Sequence, residues 1–212
     1  MSPRTPKQFK EIREEKKAHI MDVALLHFAN EGYHATTVNH IAKHAGISKG
    51  LMYNYFVSKE ALLDAIIKKS VIEVYDHFDI DRDGILTGEE FELFIRRFAR
   101  ILKEKQSFWR LFFQLLMQNE VRERFLKSFS DSGTSGPAPE SGEDQFLSRI
   151  VRTTTEYFTR KKEYKGEGYD PVVELNMFII SLKGFAITYI YTDSDNEQFY
   201  EKIIDRIIQF YK

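Results

Sequence analysis

Apolar residues recur at three- and four-residue steps along most of the chain, the spacing of one face of an α-helix. Ile12, Ile20, Val23, Ala24, Leu26 and Phe28 mark a first helix that stops at Gly32. Thr36-Thr37 supplies a cap for a short second helix with Val38, Ile41, Ala42 and Ala45, ended by Gly46. Ser48 caps a third, through Leu51, Met52, Tyr55 and Phe56. Ser58 caps a fourth, in which Glu60 sits early enough to suit the helix dipole. Residues 61–78 and 89–102 are strongly amphipathic, and 108–125 read as helical and aromatic-rich. Helices over 144–160, 172–191 and 196–211 complete the pattern, with glycine- and proline-marked loops predicted at 128–143 and 161–171. No strand of any length shows period-two alternation. The prediction is an all-α chain: a three-helix head over residues 1–57 and a larger helical body over 58–212.

Composition narrows the class. With 42% hydrophobic and 14% aromatic residues in 212, the chain can pack a core and is not generally disordered. The absence of cysteine removes disulfides, thiolate metal sites and cysteine nucleophiles together. The first residues are polar and basic, so no secretory signal is expected there. The longest apolar stretch, Met177 to Tyr191, is interrupted by Lys183 and reads as too short for a bilayer. A soluble, cytoplasmic protein without a membrane partner is the expectation. The net charge of -1 conceals an asymmetry: residues 1–60 hold nine Lys/Arg against six Asp/Glu, and five of the six histidines. A basic head beside a more acidic body suits an anionic partner for the head.

Thr37 to His44, the turn Ala45-Gly46-Ile47 and the helix after Ser48 have the small residues and the glycine that a helix-turn-helix needs. The second of these helices can present Lys49, Gly50, Tyr53 and Asn54 to a groove, while Leu51 or Met52, with Phe56, holds it down. The run Gly32-Tyr33-His34-Ala35-Thr36-Thr37-Val38, then Ile41-Ala42, then Ala45 to Phe56, then Ser58-Lys59-Glu60-Ala61-Leu62 closely resembles the signature of the tetracycline-repressor (TetR) family. The resemblance covers about fifty residues without a gap. It implies an all-α homodimer, usually a repressor, that leaves a palindromic double-stranded DNA operator when its body binds a small-molecule effector.

Carried over by position, Thr36 or Thr37 would hold phosphate at the start of the second helix, and Ser48, Lys49 and Gly50 would meet DNA at the start of the third. Tyr53 and Tyr55 would reach phosphates, Asn54 and Lys49 would read bases, and Lys59 would add a phosphate contact. Many relatives have histidine where this chain has Tyr55. His40 and His44 stand four apart, the spacing of a helical metal pair, but no third ligand accompanies them in the local sequence. They are expected to face solvent or DNA.

A second motif lies at residues 79–90. Asp79, Asp81 and Asp83 alternate, Gly84 permits a turn, Ile85 and Thr87 follow, and Glu90 closes, as in the twelve-residue calcium loop of an EF-hand. EF-hands usually work in pairs and the chain has no second loop, so a metal-free connector is as good a reading as a calcium site. In a calcium-binding reading, the ion would fix the angle between the flanking helices.

In the body, Phe98, Phe108, Trp109, Phe112, Phe113, Leu116 and Met117 form an aromatic stripe that would suit an apolar effector pocket or an ordinary core. Phe178, Leu182, Phe185, Ile187, Ile190, Phe199, Ile203, Ile207 and Phe210 are many apolar positions for one monomer surface. The family resemblance implies a four-helix dimer interface from these last two helices, with Gly184 and Ala186 allowing close approach. No Walker loop, nucleotide fingerprint or nucleophile elbow is present, so an enzyme has little support, and no cofactor is expected beyond the candidate calcium. The reading from another class is a calcium-binding sensor module that acts on protein partners. Steeply salt-dependent DNA binding separates it from a repressor.

Overall fold

The structure is a computed structural model that describes residues 5–75, 78, 80–81, 83–130, 144–192 and 197–212. Among these residues it contains ten helices and no strand: α1 (Pro6–Glu31), α2 (Val38–His44), α3 (Lys49–Tyr55), α4 (Lys59–Tyr75), α5 (Gly88–Glu104), α6 (Gln106–Leu116), α7 (Asn119–Ser130), α8 (Asp144–Lys165), α9 (Pro171–Tyr191) and α10 (Glu197–Tyr211). The all-α prediction holds. Two compact units result, one made of residues up to Val71 together with 111–122, the other of 72–110 and 123–212.

In the first unit α1 begins earlier than the apolar spacing suggests. Thr5 and Gln8 form a capping box, Thr5 Oγ1 accepting from the Gln8 amide at 3.3 Å and Gln8 Oε1 from the Thr5 amide at 2.9 Å, and Pro6 fits the first turn. Ile20, Ala24, Leu25 and Phe28 of α1, Ile41 and Ala42 of α2, Met52 of α3 and Leu62, Leu63 and Ile66 of α4 are all buried, and α2 packs on both α1 and α3. Burying each of the Ile, Leu, Met and Phe side chains among these is worth roughly 1.5–3 kcal/mol, the main force holding the head together.

The predicted single helix over 108–125 is two helices, α6 and α7, broken at Met117-Gln118. Gln118 explains the break: its Nε2 donates to the Phe28 carbonyl and its Oε1 accepts from the Tyr33 amide, both at 2.7 Å. A side chain that satisfies the open end of α1 outweighs helical propensity at one position.

In the second unit α5, α9 and α10 pack on one another, and α8 packs along α9. Helix α8 continues to Lys165, so the loop predicted from 161 is shorter than expected. Asp170 accepts from the amides of Val172 and Val173, and Pro171 starts α9. The core is aromatic: Phe91 stacks on Tyr157 at 4.9 Å, and Phe158, Phe178 and Tyr211 surround the pair. Lys161 lies inside this cluster, 4% exposed and 4.4 Å over the Tyr157 ring, with its ammonium donating to the Tyr211 carbonyl. Burial, with the nearby Lys165 charge adding to it, pulls its pKa down to about 8.

Candidate nucleic-acid interface

The turn between α2 and α3 is built by backbone geometry. Gly46 takes φ +67°, the Ile47 amide donates to the Ala42 carbonyl at 3.0 Å and the Gly46 amide to the Lys43 carbonyl at 3.2 Å. These two bonds form a Schellman closure, and a side chain at Gly46 would be strained in that conformation. Thr37 caps α2 by accepting from the His40 amide at 3.2 Å, and Ser48 caps α3 by accepting from the Leu51 amide at 3.1 Å. Arg13 of α1 donates to the Asn54 carbonyl at 3.0 Å, and its guanidinium lies 5.2 Å from the centre of the Tyr55 ring, so α1 holds the C-terminal end of α3.

Held this way, α3 is two-sided. Met52 and, just beyond the helix, Phe56 are buried, whereas Lys49, Gly50, Tyr53 and Asn54 are exposed and Tyr55 is half-buried. Gly50 is informative because a Cβ built there meets nothing within 4 Å. The chain itself has no steric need for glycine, which costs a helix roughly 0.5–1 kcal/mol relative to alanine.

The two predicted threonines separate. Thr37 is exposed, but Thr36 is fully buried, with its hydroxyl donating to the carbonyls of Gly32 at 2.9 Å and His27 at 3.2 Å. Thr36 therefore packs the head and presents nothing to a phosphate. Lys59 is engaged as well: its ammonium donates to the carbonyls of Tyr33, Thr36 and His34 at 2.9, 3.1 and 3.4 Å and sits 4.4 Å over the Tyr33 ring. It ties the start of α4 to the loop between α1 and α2.

The local sequence around His40 and His44 conceals two partners supplied by α1. The His27, His40 and His44 rings lie with centroids 4.4 to 4.6 Å apart. Glu31 accepts from His27 Nδ1 at 2.5 Å and pairs with His40 Nδ1 at 3.2 Å. The hydrogen bond from His27 holds the Glu31 carboxyl below its ordinary pKa. Partial burial opposes this, and attraction by His27, His40 and His44 adds to it. His44 is exposed, as expected, and His40 half-buried; what differs is that a third histidine and a carboxylate join them. No spacing rule links residues 27 and 31 to 40 and 44, because α1 meets α2 only through tertiary packing.

In the calcium-like loop, Asp79 lies outside the described residues. Asp81 Oδ1 accepts from the Asp83 amide at 3.2 Å and Asp83 Oδ1 from the Ile85 amide at 2.6 Å. Gly84 has φ +82°, and Ile85 is exposed. Glu90 Oε1 accepts from the Ile80 amide at 3.1 Å. Its Oε2 accepts from the amide and hydroxyl of Thr87, which caps α5. Burial raises the Glu90 pKa, but these hydrogen bonds outweigh it and the net shift is downward.

The aromatic stripe divides between the units. Phe98 and Trp109 are buried in the second, while in the first Phe112 is buried, Phe113 and Leu116 are half-buried and Met117 is 60% exposed. The predicted interface on the last two helices divides too. Phe178, Leu182, Phe185, Ile190 and Ile207 belong to the monomer core, whereas Ile187, Phe199 and Phe210 are exposed. The face of α9 left uncovered runs Val173, Met177, Ile180, Gly184, Ile187 and Tyr191, steps of three and four residues. By length and composition α9 is long and apolar enough to cross a membrane, with 21 residues and an 18-residue window of mean hydropathy 1.4, contrary to the reading of its sequence as too short; about a third of that window is buried within the structure.

Residues 20–66 match the family model for bacterial regulatory proteins of the tetR family. The HTH-type transcriptional repressor KstR2 of Rhodococcus jostii (strain RHA1) is 35% identical over 63 residues, which cover 30% of this chain and 31% of that protein. The matched segments span only 17% to 31% of the first curated relatives, all described as HTH-type transcriptional regulators or repressors. Over the whole chain the fold is similar to that of the fatty acid degradation regulator FadR from Bacillus halodurans. There the TM-score is 0.58 at 19% identity, covering 99% of this chain and 96% of that one. FadR from Bacillus subtilis in complex with stearoyl-CoA has a TM-score of 0.53 at 19% identity, covering 90% and 97%. The relatives are described as transcriptional regulators. In sequence the head matches the TetR family, and the chain as a whole has the fold of TetR-family transcriptional regulators.

Proposed function

We propose that this chain is a homodimeric DNA-binding repressor that leaves a palindromic operator when a small molecule binds its body. The exposed face of α3 carries the reading. Lys49 and Asn54 offer groups that read base edges, and Thr37, Ser48, Tyr53 and Tyr55 offer hydroxyls suited to phosphates. Gly50, whose missing side chain would meet none of the described residues within 4 Å, allows a close approach of DNA backbone. Thr36 and Lys59 act behind this surface as positioning residues. We take residues 1–57 as the DNA-binding domain and 58–212 as the regulatory and dimerisation domain.

The uncovered stripe of α9 supports the dimer. A helix apolar on both faces needs cover on both, and among the described residues only one face is covered. Gly184 at the centre of the stripe, open in the monomer, permits close helix approach. A second copy would complete a four-helix interface, which also accounts for the apolar length of α9 without a membrane. The effector would occupy the aromatic part of the body near Phe98 and Trp109. Acyl-CoA is the first probe to try, since a regulator of the same fold binds stearoyl-CoA. The protein would act in the cytoplasm, where its operator is.

Selection of bound duplexes from a random pool tests the reading. The expected result is a palindrome with half-sites about one helical turn apart. Its affinity should fall roughly 10³–10⁵-fold between 50 and 200 mM salt if six to ten phosphates are contacted. No enriched sequence, or binding indifferent to salt, would overturn it.

Residues 79–90 keep a second role as a proposal. Glu90 is already turned to the loop amide of Ile80, and Gly84 already has the left-handed turn a calcium loop needs. Calcium held by Asp79, Asp81, Asp83, Ile85, Thr87 and Glu90 would brace the helices on either side. Calorimetry of chelator-treated protein that shows no calcium binding up to millimolar concentrations removes this role.

A further inference from the structure

We infer that His27, His40 and His44 form a site for a divalent first-row transition metal, zinc in the first instance, at the junction of α1 and α2. The chemistry follows from what each ring already does. A carboxylate and a carbonyl can only accept hydrogen bonds. His27 Nδ1 and His40 Nδ1 face the two oxygens of Glu31, at 2.5 and 3.2 Å, and His44 Nδ1 faces the His40 carbonyl at 3.0 Å. With Nδ1 as the donor in these contacts, a neutral ring has its lone pair on Nε2, the nitrogen a metal would take. Three such imidazoles, two of them held by one carboxylate, make up the carboxylate–histidine–metal arrangement that orients zinc ligands.

The three histidines converge within reach of one ion. One donor nitrogen of each histidine lies within 4.8 Å of the others. A tetrahedral zinc with Zn–N near 2.1 Å wants its nitrogens about 3.4 Å apart, so a contraction of at most about 1.4 Å fills it. Side-chain rotation can supply that, because His40 is half-buried and His44 exposed. The same exposure gives the metal an entry path and leaves a fourth position for water. An all-imidazole donor set selects zinc, cobalt, nickel or copper over calcium and magnesium, which prefer oxygen. The site spans two helices joined by residues 32–37, so a bound metal would cross-link the C-terminal end of α1 to the first helix of the helix-turn-helix.

The test uses the full, untagged chain, stripped with a chelator, and does not depend on the DNA-binding reading. Cobalt(II) is titrated for the visible absorption of a tetrahedral centre, and zinc is followed by calorimetry and thermal melting. The expected result is one metal per chain and a zinc-dependent rise in Tm. His44→Gln, at an exposed helical position, should keep the helical circular dichroism and lose about 100-fold or more in metal affinity. Glu31→Gln should lose roughly 10–100-fold through misorientation of the rings. Absence of saturable binding in the wild type overturns the inference. So does binding that persists unchanged in both variants, since the metal would then lie elsewhere.

Discussion

Helices α3 and α9 each leave a row of side chains uncovered, and the rows differ in kind. On α3 the row of Lys49, Gly50, Tyr53 and Asn54 stands exposed beside Leu51; on α9 an exposed apolar row runs Val173, Met177, Ile180, Gly184, Ile187 and Tyr191. A polar, cationic row costs nothing in water and gains when a polyanion replaces solvent and counterions. An apolar row has no such rest state. Water leaves it uncovered at a cost of about 25 cal/mol per Å², so it implies a partner surface of the same kind. In the proposed function, one helix waits for DNA that comes and goes, and the other for a second copy of the chain that stays.

Mutations can break or sharpen that contrast. The largest effect is expected on the covered face of α9: Phe178→Ala empties a site in the aromatic cluster and should lower stability by roughly 3–5 kcal/mol in a denaturant titration. Two positions on, Ile180→Asp should leave the monomer folded, convert the dimer to monomer in sedimentation, and weaken operator binding about 100-fold, or roughly 2.7 kcal/mol. A dimer that survives Ile180→Asp would show that the stripe is not the interface.

On α3, Asn54→Ala should relax base preference at one operator position by about 1–3 kcal/mol without changing the melting temperature appreciably. Tertiary burial rather than exposure governs Lys161. Its folded pKa of about 8 lies below the ordinary 10.5, so between those values the unfolded chain holds a proton that the folded chain lacks. Stability should therefore rise with pH from about 8 to 10.5, by at most about 1.4 kcal/mol per unit, and Lys161→Met should flatten that slope. The smallest effect is the most discriminating. Gly50→Ala should stabilise the head by about 0.5–1 kcal/mol yet weaken DNA binding, opposite signs that only an external partner at that position explains.

Much of the head is legible in local sequence because its determinants are local. Gly46 with its Schellman bonds, the caps Thr37 and Ser48, and the spacing of Met52 and Phe56 lie within a few residues of what they control. The body is less legible. The apolar periodicity of α9 announces a helix, but residues apolar on every side cannot say which face meets the core. Phe178, Leu182 and Phe185 therefore look the same in sequence as Ile180 and Ile187. The break at Gln118 is hidden for a related reason: its partners, Phe28 and Tyr33, are some ninety residues away in sequence.

Sequence alone determined the all-helical class, the helix-turn-helix and the residues of its outer face, because period, caps and turns act over one or two turns of chain. Tertiary packing decided which exposed-looking residues are engaged, sealing Thr36 and occupying Lys59 with three carbonyls. It also brought His27 and Glu31 of α1 onto His40 and His44 of α2. Side chains from separate helices converge only when burial of Ile20, Leu25, Phe28 and Ile41 presses those helices together, and no spacing along one helix encodes that contact.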